Sequence, residues 1–146
     1  MQSKTPFDIA EDKAYALLAE FAKNHGYPCK RMPYKFCYDA EIAGVPCELK
    51  LAYKADKENY DTYLIEVEKL NNLKRTHKNC YYCYILPYRR QVAFIDIYLI
   101  QKLLDEGTIE QVEHWCNACT VFGNRKIKKE VIFIPIEYFR FFHIDK

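Results

Sequence analysis

The sequence predicts a single domain of the α/β (α+β) class, a mixed β-sheet with an N-terminal helix and flanking helices. Three observations lead there. The chain has 146 residues, a length that suits one domain. Half of the residues are hydrophobic and 29% are charged, so a packed core can form and wholesale disorder is excluded. Apolar residues recur first at helical spacing and then, from about Lys35, at a spacing of two. The expected domain runs over 1–146, with a core at about 7–97 and peripheral helices and a C-terminal strand over 98–146.

Thr5, Pro6 and Asp8 read as the N-cap, first helical position and capping-box acid of the first helix. Ala10, Ala14, Leu17, Leu18 and Phe21 form its apolar stripe, and Gly26 stops it. Phe36, Tyr38, Ala40 and Ile42 then alternate with Cys37, Asp39 and Glu41 as a strand. Ala43-Gly44 is a turn, and a second strand runs over 45–53. Residues 54–59 are charged and read as a loop. A third strand is expected over 60–70, with Tyr63, Ile65 and Val67 on one face. The basic connector 71–79 fits a short helix or a loop. Strands follow at 80–86 and 91–97, around a Pro87-Tyr88-Arg89-Arg90 turn. Residues 98–106 form an amphipathic helix stopped by Gly107, and Thr108 caps another to about Trp115. A late strand covers 129–134, and the aromatic end 137–143 folds back on the body. All strands are expected in one mixed sheet.

No stretch approaches the roughly 20 apolar residues of a membrane span. The first 21 residues carry early acids and no uninterrupted apolar run, so a secretory signal is not expected. The seven cysteines then read as reduced thiols of a cytoplasmic protein. A net charge of +2 says nothing by itself about nucleic acid, so any such case rests on local patches.

The informative segment is Tyr38-Asp39-Ala40-Glu41-Ile42-Ala43-Gly44-Val45-Pro46-Cys47-Glu48-Leu49-Lys50. With a two-residue turn at Ala43-Gly44, Ile42 faces Val45, Asp39 faces Glu48, and Lys50 faces Cys37 on the same side. Like charges directly opposed are destabilising, so something should compensate. Two converging carboxylates suit Mg²⁺ (or Mn²⁺), which takes one or two such ligands and keeps its waters. A lysine beside them would hold a phosphate or orient a water for phosphodiester hydrolysis. The plainer reading is a solvated strand face.

Asp39 followed eight residues later by Glu48-Leu49-Lys50, on adjacent strands after an N-terminal helix, resembles the PD-(D/E)XK nuclease superfamily. The resemblance covers about two-thirds of the chain and implies a restriction-endonuclease-like core of a helix, three strands, a helix and a further strand. Tyr38 stands where the motif's proline would be. By that resemblance Asp39 and Glu48 are metal ligands and Lys50 is the catalytic lysine. Many members add a Glu from the first helix, for which Glu20 is the better candidate and Glu11 the second.

Cys80-x-x-Cys83 and Cys116-x-x-Cys119 carry the spacing of a four-thiolate Zn²⁺ site. Neither pair has the Gly or Pro of a metal knuckle, and in a strand i and i+3 point to opposite faces. Packing as small hydrophobes is therefore favoured over zinc. Lys69, Lys74, Arg75 and Lys78 cluster after the third strand, Arg89 and Arg90 sit on a turn, and Arg125, Lys126, Lys128 and Lys129 form a run. These are candidate nucleic-acid contacts, of the kind that read backbone or structure rather than bases.

The expectation is thus a small Mg²⁺-dependent deoxyribonuclease acting on DNA, structured or branched DNA included, with the tail at Tyr138–Phe142 as a candidate homodimer interface. The alternatives are a non-catalytic inhibitor or adaptor of a mobile element or defence system on the same fold, and a zinc-stabilised interaction module.

Overall fold

The computed structural model describes residues 6–58, 60–117 and 126–146. In chain order its elements are α1 (Pro6–His25), β1 (Cys29–Arg31), β2 (Ala40–Ile42), β3 (Val45–Leu51), α2 (Tyr53–Glu58), β4 (Thr62–Glu66) and α3 (Val67–Lys74). Then come β5 (Tyr81–Leu86), β6 (Gln91–Asp96), α4 (Ile97–Asp105), β7 (Gln111–Asn117), β8 (Lys126–Pro135), a 3₁₀ turn at Ile136–Tyr138 and β9 (Arg140–His143).

Pro6 opens α1, where its missing N–H costs nothing. Thr5, expected as the cap, lies outside the described residues. Gly26 ends the helix at φ +78°. Ala14, Leu18, Phe21 and Ala22 bury the apolar stripe against Cys47, Cys83, Ile85, Val92 and Ile144 on one face of a six-stranded sheet, ordered β1-β2-β3-β5-β6-β9. A three-stranded antiparallel sheet, β4-β8-β7, packs across the other face. Tyr63, Ile132 and Ile134 from the small sheet share one core with Tyr82, Tyr84 and Ile95 from the large one. The Tyr63 and Tyr84 rings stack with centroids 4.4 Å apart, and the Tyr84 hydroxyl donates to the Leu64 carbonyl.

The β2–β3 turn is built as the sequence predicts. Ala43 and Gly44 both take positive φ, 49° and 78°, the geometry of a type I′ hairpin. An added Cβ on Gly44 would meet nothing within 4 Å. Gly44→Ala should therefore lose only backbone energy, about 1 kcal/mol. That corresponds to a melting temperature about 2–4 °C lower in thermal denaturation. An unchanged melting temperature would mean that the turn relaxes.

Several expected elements differ. The strand foreseen from Lys35 forms only at Ala40–Ile42, because residues 32–39 turn away and Lys35 itself takes φ 64°. The expected third strand stops at Glu66 and pairs with β8, not with the hairpin. Val67, Leu70 and Leu73 are its continuation as helix α3, burying an i, i+3, i+6 face. Helix α2 replaces the expected loop and buries Ala55 and Asp56; the Asp56 carboxylate accepts from the Tyr88 and Arg89 amides at 2.5 and 3.3 Å. The helix expected after Thr108 is instead β7, paired along its length with β8. The strands thus divide between two sheets rather than one. The aromatic end does fold back: β9 pairs with β6 as an edge strand, and Ile144 is buried.

What positions the site is the path β3–α2–β4–α3–β5. β3 and β5 are parallel neighbours, so the chain between them must cross over, and it carries α3 onto the β3 face. No described helix is long and apolar enough to cross a membrane.

Candidate functional site

The hairpin register places Ala40 opposite Cys47 and Ile42 opposite Val45. Asp39 lies one residue before β2, and its amide donates to the carbonyl of Cys47, the partner of Ala40, at 3.1 Å, so Asp39 stays beside β3 although the regular ladder, expected to set it opposite Glu48, ends at Ala40. The regular pairing starts at Ala40 and does not extend to Cys37. An Asp39 carboxylate oxygen accepts from the Leu49 amide at 2.9 Å, which ties the side chain down beside β3. Glu48 is buried, at 6% exposure. Cys47 and Leu49 face α1, so Glu48 and Lys50 face the opposite way, with their register partners Tyr82 and Tyr84.

The two carboxyls hydrogen-bond to each other. Burial and the neighbouring Asp39 charge push the Glu48 carboxyl far above its usual range. Burial also raises Asp39, though the Leu49 amide and the Lys69 ammonium pull it back. Burial and the Asp39 charge thus favour the protonated form at Glu48 more than at Asp39. Glu11 on α1 is raised as well, by burial first and by Asp39 second. Lys69 on α3 brings its Nζ to 4.0 Å from Glu48 Oε1.

Asp39, Glu48, Glu11 and Lys69 line one pocket of about 580 Å³. Its walls are the start of α1, the 31–38 segment and the outer side of α3. Five acidic side chains (Asp8, Glu11, Asp12, Asp39, Glu48) line it with three basic ones (Arg31, Lys35, Lys69). An excess of acids around a carboxyl pair, one of them buried, is a setting that suits a divalent cation. Among the described residues no group of three or more His, Cys, Asp or Glu is gathered to hold a metal ion. Asp39 and Glu48 remain a two-carboxylate pair, which is the ligand number Mg²⁺ uses.

The other predicted site residues lie elsewhere. Lys50 shares the face of Glu48 but is not among the residues lining this pocket; Glu66 and Lys129 are its charged neighbours, and burial lowers its pKa. Glu20 does not reach the pocket: it pairs with Arg90 at 2.5 Å, and Arg90 also pairs with Asp145. Glu11 occupies the place for which Glu20 was the first choice. Lys74 donates to Gln101 at 2.7 Å, Arg89 pairs with Asp56 at 3.1 Å, Arg75 lines a separate groove between α3 and β8, and Lys78 is exposed. Of the six basic residues expected to contact nucleic acid (Lys69, Lys74, Arg75, Lys78, Arg89 and Arg90), Lys69 alone is among those lining this pocket.

Cys80 and Cys83 are buried in different core clusters, on opposite faces of the sheet. The Cys80 thiol contacts the Thr76 hydroxyl at 3.1 Å and the Lys78 carbonyl at 3.2 Å. Cys116 sits on β7, and Cys119 and Arg125 lie outside the described residues. The six described cysteines are free thiols.

Sequence reasoning missed Lys69 as a pocket residue, and it missed the aromatic wall at Tyr34 and Phe36. The signal for Lys69 was present: with 67–74 read as a helix, Lys69 and Asn72 share one side, off the Val67-Leu70-Leu73 stripe.

No family model, no curated protein and no solved structure matches the chain.

Proposed function

We propose that the protein is a metal-dependent nuclease that hydrolyses phosphodiester bonds, in DNA as its first substrate. The observation that carries the reading is the Asp39–Glu48 pair, half-buried and buried respectively, held side by side at the base of the hairpin and flanked by Glu11 and Lys69. Part of the chain order supports it: a helix, an antiparallel hairpin, the crossover helix α3 and a strand parallel to β3 come in the order that the PD-(D/E)XK resemblance implies, whereas β4, expected as the third strand of that core, lies in the other sheet.

The donor set fits Mg²⁺ or Mn²⁺, because the two carboxyls are hard oxygen ligands already held together and now share a proton that a cation would replace. A divalent ion bound there supplies positive charge for a phosphoryl oxygen and acidifies a bound water. Asp39, fixed by the Leu49 amide, and Glu48 do the binding. Lys69 puts a further positive charge at the pocket wall for a phosphate. Glu11, with its raised pKa, is placed to take a proton inside the pocket.

A second reading is a non-catalytic binding protein on the same fold. The observation that favours it is Lys50, which stands among Glu66 and Lys129 instead of lining the pocket.

The test is cleavage of supercoiled plasmid, single-stranded DNA and a four-way junction in Mg²⁺ and in Mn²⁺. EDTA, Lys69→Ala and Lys50→Ala are the controls. The nuclease reading expects cleavage that EDTA abolishes and Lys69→Ala reduces about a hundredfold, the scale of losing one preorganised charge. Lys50→Ala then reports whether that lysine takes part. No cleavage of any substrate in either metal selects the binding protein.

A further inference from the structure

The outer wall of the pocket is aromatic, and nothing in the nuclease reading uses it. Tyr34 is 79% exposed and Phe36 48% exposed, and both line the same pocket as Asp39 and Glu48. Phe36 is braced: it stands edge-on against Tyr38 at 4.9 Å, and Tyr38 is buried with its hydroxyl donating to Glu41 at 2.5 Å. Cations alternate with the rings. Lys35 Nζ lies 5.7 Å from the Tyr34 ring centre, and Arg31, paired with Asp12 at 2.7 Å, lies 5.6 Å from the Tyr15 ring. Lys35 sits at φ 64°, a conformation that favours glycine.

Exposed rings beside cations, at the mouth of a pocket with room for a nucleotide, suit one ligand chemistry. Aromatic side chains stack on bases and cations hold the backbone. A base inside a duplex has both faces covered by its neighbours, whereas an unpaired base offers a free face. We infer that this pocket takes single-stranded nucleic acid, with an unpaired base stacked on Tyr34 and Phe36 and its phosphate turned toward Lys69. The inference rests on the nuclease reading only for which phosphate is cut. The stacking wall stands on its own geometry.

The test separates the two. Binding of a short fluorescein-labelled single strand, as DNA and as RNA, and of the matched duplex is measured by anisotropy with Ca²⁺ present. Cleavage of the same strands is measured in Mg²⁺ and Mn²⁺. The single strand should bind at least about tenfold tighter than the duplex. Tyr34→Ala with Phe36→Ala should remove about tenfold or more, the scale of one lost base stack. Phe36→Trp should retain binding. Tyr34 is largely exposed and Phe36 half-exposed, and neither belongs to a buried core cluster, so these variants keep the core. Equal affinity for duplex and single strand, or a double alanine variant that binds like the wild type, overturns the stacking site; cleavage that persists then leaves the nuclease reading intact. Single-strand binding that is lost in the double variant, with no cleavage in either metal, overturns the nuclease reading and keeps the stacking site. No binding to either nucleic acid overturns the inference. The DNA and RNA arms assign the sugar.

Discussion

Replacing Asp39 by Asn should abolish the metal response of the protein without unfolding it. Asn keeps the oxygen that accepts from the Leu49 amide and offers an amide donor to Glu48, so both local hydrogen bonds can be remade. The variant loses a ligand and a charge. Metal-dependent cleavage should fall by about a hundredfold or more. In EDTA the variant should melt close to the wild-type temperature, because the remade hydrogen bonds leave no buried group unpaired.

The pH dependence of the metal-free wild type follows from the same pair. Glu48 is an acid whose pKa is raised in the folded state, by burial first and Asp39 second. The folded protein keeps a proton that the unfolded chain releases. The stabilisation is complete below the ordinary carboxylate value of about 4 and is lost as the pH rises above it toward the alkaline range. Every tenfold gain in proton affinity on folding is worth about 1.4 kcal/mol, so melting temperatures in EDTA should decline by several degrees from acid to alkaline pH. Mg²⁺ should restore most at the alkaline end, and Asp39→Asn should lose that gain. A wild type whose melting temperature is flat with pH, or a variant that keeps the full Mg²⁺ gain, would reject the pair as the metal site.

Leu18→Ala should be the most damaging single truncation on α1. Leu18 is fully buried, between Ala14 and Phe21 on the helix and Cys47, Cys83 and Ile85 on the sheet. Removing it from a packed interface costs about 2–5 kcal/mol, or roughly 5–20 °C in melting temperature. The effect should reach the pocket, because α1 also carries Glu11. Metal affinity should weaken along with stability. Scanning calorimetry and an Mg²⁺ titration check the two halves. A loss under about 1 kcal/mol would mean that the helix is not seated on the sheet as described.

The site was legible where local chemistry decides the geometry. Ala43-Gly44 specifies a two-residue turn, the turn specifies the register over Ala40–Ile42, and that register delivers Asp39 to the side of β3 next to Glu48 and Leu49. Lys69 was not legible as a pocket residue because Val67 belongs to two patterns at once. It continues the alternation Tyr63-Ile65-Val67 and it begins the helical stripe Val67-Leu70-Leu73; tertiary packing chooses the second. Glu11 and Glu20 are nine residues apart on one helix, about half a turn out of phase, and both flank the same stripe. Which of them overlooks the hairpin depends on how α1 lies across the sheet. The division of the strands into two sheets is equally non-local, since β4 and β8 pair across a separation that no local pattern encodes.

The six-stranded sheet ends at β1 on one side and β9 on the other, strands of three and four residues. Lys30 and Arg31 sit on the first edge and Arg140 on the second. A foreign strand approaching either side finds a short run of backbone groups and a positive charge, both of which discourage edge-to-edge growth. The sheet that carries the carboxyl pair is thus guarded against polymerising, and its edge nearest the site, β1, stays open to solvent without becoming a template for aggregation.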